Sequence, residues 1–318
     1  MVKRFLMVAL VAGFILSLSV QGFAAARTQG VYVQMLEGLK ADARQSAPKV
    51  EAALKGAGFT ILASYENGVP AGCRFKAATI VFTKDDYAAK ILAKGPDKAF
   101  ALPLKLSLYE NDKGLNVAMM NPVSVDRTIF QGDSQDAAAQ KVVDEVAAAL
   151  KPIGTVQQRQ AGELRESGAI TGMGGGAFPE KVVPAAASNK SPSEIADELE
   201  KGLSPSSGWH VVYVYKPSAA VAVVGIAKPQ TEARAFGIAG EKRVTNSNPC
   251  PGIDHAPAFP VELVIYKNGA HNSVNILKEM WRMKLYFQDA GNWAFMKNMA
   301  MPGDIQSEIE KAVKQSVK

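Results

Sequence analysis

Leu104-Lys105-Leu106-Ser107-Leu108-Tyr109 alternates apolar and more polar side chains at every step, and Asn111-Asp112-Lys113-Gly114 follows at once. A period of two is the pattern of a half-buried strand. The turn-forming quartet and the second apolar run after it, ending in Met119-Met120, make the pair a hairpin. A helix is expected next, because Val142, Val143, Val146, Ala147 and Leu150 share one face. Upstream, Gly58-Phe59-Thr60-Ile61-Leu62 closes a helix and opens a strand, and Ala78-Thr79-Ile80-Val81-Phe82 is a further strand. The pattern predicts an α+β unit: a mainly antiparallel sheet packed with helices on one face.

Parts of this unit recur. Gly208-Trp209-His210-Val211-Val212 repeats the Gly-aromatic opening 150 residues later. Cys73 precedes one strand and Cys250 precedes Glu262-Leu263-Val264-Ile265-Tyr266, 177 residues apart. Lys284-Leu285-Tyr286-Phe287-Gln288 is expected as the counterpart of Lys105–Tyr109, at 179, and Met299-Ala300-Met301-Pro302 as that of Met119–Pro122, at 180. On this alignment Met283, Leu285 and Phe287 alternate along a second hairpin strand, and a helix carrying Ile305, Ile309, Ala312 and Val313 closes the unit. A jump of 27 between the early and late offsets implies one long insertion. The expected boundaries are a signal peptide at 1–26, a first unit at 27–150, a mobile Gly/Ala-rich linker at 151–189, and a second unit at 190–318 with its insertion at 217–249. Ser191-Pro192-Ser193-Glu194 marks a helix start in the second unit by its capping box and first-turn proline.

Lys3-Arg4, the apolar run Phe5–Val20 and the small residues Ala24-Ala25-Ala26 have the layout of a secretory signal peptide, with cleavage after Ala26. At sixteen residues the run falls short of the roughly 20 that span a bilayer. The expectation is a periplasmic or secreted protein with no stable membrane anchor after cleavage. The chain of 318 residues carries a net charge of +6, or +4 without Lys3 and Arg4, and no basic stripe; nucleic acid is not an expected partner. Nucleotide cofactors are scarce outside the cytoplasm, and Gly172-Met173-Gly174-Gly175-Gly176 lacks the residues of a phosphate loop, so it reads as a hinge.

Ala99-Phe100-Ala101-Leu102-Pro103, Tyr109-Glu110-Asn111-Asp112-Lys113-Gly114 and Met119-Met120-Asn121-Pro122, with Gly58-Phe59 and the cysteine ahead of the next strand, resemble the domain-of-unknown-function 302 family. The likeness runs over residues 30–150 and, in divergent form, over 182–314, so two tandem units are expected. It implies a compact α+β fold and no established reaction. Leu104 stands where many members have cysteine after Leu-Pro, and Trp281-Arg282-Met283 stands there in the second unit, so a thiol role of the family would lose a partner here.

The candidate site residues are few. Cys73 and Cys250, expected at equivalent points of the repeats, leave three states open: a disulfide stapling the units, two separate buried thiols, or a redox or ligand-binding pair. No C-x-x-C occurs, which argues against thioredoxin-like exchange and covalent c-type haem. Cys250-Pro251-Gly252-Ile253-Asp254-His255 gathers metal-ligand types, with His255 the candidate, although a proline-rich loop with Asp254 capping a turn explains the run as well. Met296, Met299 and Met301, with Met280 and Met283 upstream, are thioethers of the kind that select Cu(I); core filling on a strand beside Trp293 and Phe295 is the competing reading. His210, His255 and His271 have no serine elbow near them, and H-E-x-x-H is absent, so no catalytic residue is expected. The residues name no cofactor. The expectation is a non-enzymatic protein binding a small ligand or a metal. The alternatives are an accessory redox or enzyme component of envelope sulfur or metal metabolism using a cysteine, and a structural interaction module for a protein partner the sequence does not name.

Overall fold

The computed structural model describes residues 28–166, 168–203 and 207–317; the expected signal peptide lies outside them. The first unit runs β1 (Gln29–Leu39), α1 (Ala43–Gly56), β2 (Thr60–Glu66), β3 (Ala77–Thr83), α2 (Asp85–Leu92), a 3-10 segment (Pro96–Ala101), β4 (Leu104–Asn111), β5 (Gly114–Met120), α3 (Pro122–Phe130) and α4 (Asp136–Leu150). A further strand, β6 (Arg159–Arg165), joins its sheet. The second unit runs β7 (Val182–Ser188), α5 (Pro192–Gly202), β8 (His210–Ser218), β9 (Val221–Ala227), α6 (Pro229–Gly240), a 3-10 segment (Pro251–Ala258), β10 (Val261–Asn268), β11 (His271–Leu277), α7 (Glu279–Phe287), α8 (Asn292–Lys297) and α9 (Ala300–Ser316).

Both sheets are antiparallel and have one strand order. It is β2-β3-β4-β5-β1 with β6 outside β1 in the first, and β8-β9-β10-β11-β7 in the second. Local chemistry sets the same boundaries in each. The Asp42 carboxylate accepts the Gln45 N–H at the start of α1, and the Ser191/Glu194 capping box opens α5. Gly58 and Gly208, at φ +81° and +73°, turn the chain into β2 and β8 in a conformation that a β-carbon disfavours. Lys84 and Lys228, the residues ahead of α2 and α6, each pair with a carboxylate of their unit's last helix, Glu145 and Glu308.

The hairpin β4–β5 and the helix α4 lie where the sequence places them. The counterpart of β4 does not. It is β10, Val-Glu-Leu-Val-Ile-Tyr-Lys-Asn at 261–268 against Leu-Lys-Leu-Ser-Leu-Tyr-Glu-Asn at 104–111, an offset of 157 that also takes Pro122 of α3 to Glu279 of α7. Lys284–Gln288 is therefore not a strand; it lies mostly in α7, whose residues are buried nearly all round, so no helical periodicity was left to see. Residues 217–249, expected as an insertion, carry the end of β8, then β9 and α6, elements the first unit also has in β3 and α2. The expected linker at 151–189 supplies strands to both sheets, β6 and β7.

The strands β3, β4, β9 and β10 are buried on both faces rather than half-buried. Each unit's helices cover one face of its sheet. The other unit closes over the rest: β4 packs on the 3-10 segment Pro251–Ala258, β10 packs on Pro96–Ala101, and the sheet edges β2 and β8 meet. The seam therefore has an approximate two-fold relation between equivalent elements. No helix among the described residues is long and apolar enough to cross a membrane.

Candidate functional site

Polar groups hold this seam. Lys105 of β4 and Glu262 of β10, residues at the same position in the two units, form an ion pair at 2.7 Å. The Lys105 ammonium also donates to the Pro260 carbonyl at 3.2 Å. Burial pulls the Lys105 pKa down against the pull of Glu262 in the other direction. Nearby, Arg282 of α7 makes a two-pronged bond to Glu279 at 2.6 and 2.8 Å and donates to the Ala258 carbonyl at 3.0 Å. Glu232 of α6 accepts from the first unit three times: from the Gly68 N–H at 2.6 Å, the Tyr65 hydroxyl at 2.8 Å and the Asn67 amide at 3.3 Å. Burial raises its pKa to about 7, against those donors.

Cys73 and Cys250 form a disulfide across the seam, with Cα atoms 5.7 Å apart. Of the three states the sequence left open, this is the first. The cysteines are not equivalent points of the repeat, however. Cys73 lies between β2 and β3, whereas Cys250 precedes the second 3-10 segment, at the position Gly95 holds in the first unit. No free cysteine remains among the described residues.

His255 is 2% exposed and both its ring nitrogens are engaged. Nδ1 lies 2.6 Å from Asp254, Nε2 lies 2.9 Å from Asp289, and the ring stacks on Phe287 with centroids 5.2 Å apart. Burial opposes its charge, but the flanking carboxylates win and raise the imidazolium pKa to about 9. Arg243 holds Asp254 from the other side, and with His255 keeps that carboxylate well below its usual range despite burial. With both nitrogens committed, His255 is a structural cation here, with no nitrogen to offer a ligand.

The methionines divide. Met301 lies in the core beneath α8, lining a small apolar cavity with Met283, Phe287 and Phe295. Met296 and Met299 instead line an open pocket of about 400 Å³ together with Met280 and Met173. Lys284, Gln288 and Asn292 complete much of its polar lining. The pocket is built by α7, α8 and the turn at 172–176, which packs so closely that a β-carbon on Gly174 would meet the Met280 side chain at 2.5 Å. The Lys284 ammonium fixes that turn by donating to the Thr171 and Met173 carbonyls. Met173, Met296 and Met299 are 63%, 55% and 50% exposed, three of only six large hydrophobic side chains so exposed among the described residues. Thioethers used as core filling would be covered; these face solvent around one pocket. In sequence the sole signal of Met173 is a methionine in a glycine-rich turn, and the strand-like alternation of 284–288 hides the place of Lys284 and Gln288 in the pocket.

The fold and its seam thus define an α+β protein of two sheet-and-helix units closed face to face and joined by a disulfide. Residues 39–153, which hold the first unit from the end of β1 to just past α4, match the family described as Domain of unknown function DUF302. A solved structure of an uncharacterized conserved protein DUF302 from Bacillus stearothermophilus is 17% identical, over 38% of this chain and 94% of that one, with a TM-score of 0.31. No curated protein matches the chain.

Proposed function

We propose that this chain is an exported, non-enzymatic binding protein, a tandem duplication of the DUF302 unit, whose thioether pocket holds a soft monovalent metal, Cu(I). The observation that carries the reading is the convergence of Met173, Met280, Met296 and Met299 on one solvent-open pocket. Thioethers are soft ligands that select Cu(I) and need no deprotonation to bind it. The leader-like residues 1–26 support export, and a disulfide suits an oxidising compartment. The shared element order and strand order support duplication. The test is an anaerobic Cu(I) titration against a chromogenic competitor. Replacing Met280, Met296 and Met299 by Leu should weaken binding at least tenfold, while Met301→Leu, which alters only the core, should leave it unchanged. Equal affinities in all three proteins would end the copper reading.

A further inference from the structure

We infer that the cavity adjoining the thioether pocket is a subsite for a zwitterionic α-amino acid, with Arg165 receiving the carboxylate and Gln288, Glu163 and Glu166 receiving the ammonium. This cavity, of about 340 Å³, is lined by those four residues with Ala169, Ile170 and Thr171. Arg165 ends β6 and commits one guanidinium nitrogen to the carbonyls of Lys284 and Leu285, at 2.8 and 2.9 Å. Its other terminal nitrogen, Nη1, is buried and has no acceptor among the described residues. Oε1 of Gln288 is likewise buried, with no donor. A donor without an acceptor and an acceptor without a donor therefore belong to residues of one cavity. Each such group costs stability if nothing occupies it, and folded proteins keep few of them.

The charges narrow the occupant. Burial lowers the Arg165 pKa, and the charges of Glu163 and Asp289 offset only part of that loss of water. An anion would meet that need, yet Glu163 and Glu166 line the same space and would repel a bare one. A ligand carrying both a carboxylate and an ammonium satisfies the arginine, the glutamine oxygen and the glutamates together. Thr171 and Gln288 line both this cavity and the methionine pocket, so the two are neighbours and a side chain leaving the Cα of the ligand has an apolar surface to lie on. That favours α-amino acids with apolar side chains. The inference rests on Arg165 and Gln288, not on the thioethers, and stands or falls apart from the copper reading.

Thermal unfolding of the full chain with L-leucine and L-methionine as probes tests it. Leucinamide, which lacks the carboxylate, 4-methylpentanoate, which lacks the ammonium, and glycine, which lacks the side chain, are the comparisons. The two amino acids should raise the melting temperature in a dose-dependent way by mass action, and the three comparison compounds should do so weakly or not at all. Arg165→Met should weaken leucine binding on the order of 10- to 100-fold, the value of a charged hydrogen bond, while its Cu(I) affinity stays that of the parent. Should Arg165→Met fail to fold, Gln288→Leu and the analogue series on the parent chain decide. No shift with either amino acid, or equal shifts with leucine and leucinamide, would overturn the assignment.

Discussion

Lys105 and Glu262 occupy equivalent positions in the two units and are 1% and 6% exposed at the seam between them. Removing one partner leaves the other charge buried and alone. Lys105→Met should therefore cost roughly 3–5 kcal/mol, and Glu262→Leu a similar amount, the penalty for breaking a buried pair. The double variant should cost far less than the sum, because an apolar pair of similar size avoids desolvation altogether. Their coupling energy should thus be large and of opposite sign to the single losses. The seam's approximate symmetry adds a sharper test in the charge-swapped chain, Lys105→Glu with Glu262→Lys. It restores an ion pair across the same two strands. It loses the bond from Lys105 to the Pro260 carbonyl, which a glutamate at 105 cannot make, so about 1–2 kcal/mol of the deficit should remain. Urea unfolding, followed by circular dichroism and by fluorescence of the buried Trp209 and Trp281, supplies the energies. Single losses under 1 kcal/mol would show that the pair is wet. A swap no better than the single variants would show that the equivalence of the two positions has no energetic meaning.

Three further outcomes follow from the buried chemistry. Replacing Cys73 and Cys250 by Ser removes a cross-link spanning 177 residues of chain, so unfolding should become easier by roughly 5 kcal/mol on the chain-entropy model; a denaturation midpoint equal to the parent's would exclude the staple. Asp126 is buried with its pKa raised to about 8, chiefly by desolvation, and accepts the Tyr87 hydroxyl. Its folded form keeps a proton the unfolded chain loses near pH 4, so the parent loses stability as pH climbs from there to about 8, by at most about 1.4 kcal/mol per unit. Asp126→Asn, which can still accept that hydroxyl, should gain on the parent steadily over this window, and a gap independent of pH would refute the assignment. His255 has the opposite sign: its folded pKa, about 9, lies above the ordinary value of 6.5, so its contribution is complete below pH 6.5 and lost as pH rises through 9. His255→Gln should be most destabilised, by up to about 3 kcal/mol, in acid, and should approach the parent at alkaline pH; midpoints of urea unfolding at pH 6 and 9.5 would reveal a constant deficit if the cation is not what matters.

Local signals carried the first unit well and the second poorly, and the reason is burial. In β4 the leucines at 104, 106 and 108 announced a strand, and the turn at 111–114 announced its partner. What the alternation could not reveal is that Lys105, Ser107 and Tyr109 are buried too, since a polar face turned to another unit looks the same in sequence as one turned to water. The same ambiguity misplaced the repeat. Lys284-Leu285-Tyr286-Phe287 alternates like a strand, but a helix buried on every side has no polar stripe to set its period, and Glu279 pairs with Arg282 one turn on instead of reaching solvent. The correct counterpart was present in the letters: Leu-x-Leu-x-Leu-Tyr-x-Asn at 104–111 and Val-x-Leu-x-Ile-Tyr-x-Asn at 261–268 share pattern, length and the Tyr-x-Asn end. For the site, residue type was informative and proximity was not. Met296, Met299 and Met301, with Met280 and Met283 upstream, stand out in sequence as a soft-ligand set, but Met283 and Met301 are buried in the core, and Met173, more than a hundred residues earlier, joins the other three only because Lys284 fixes its turn against α7. His255 shows the converse. Neighbours in sequence suggested a ligand cluster with Cys250, and the fold spends the thiol on a disulfide and both ring nitrogens on carboxylates. Cys250 and His255, close together in sequence, are consumed by the seam and its buried contacts, whereas the thioethers left open to solvent join a local stretch, Met280 to Met299, with Met173 from a distant turn that Lys284 holds in place.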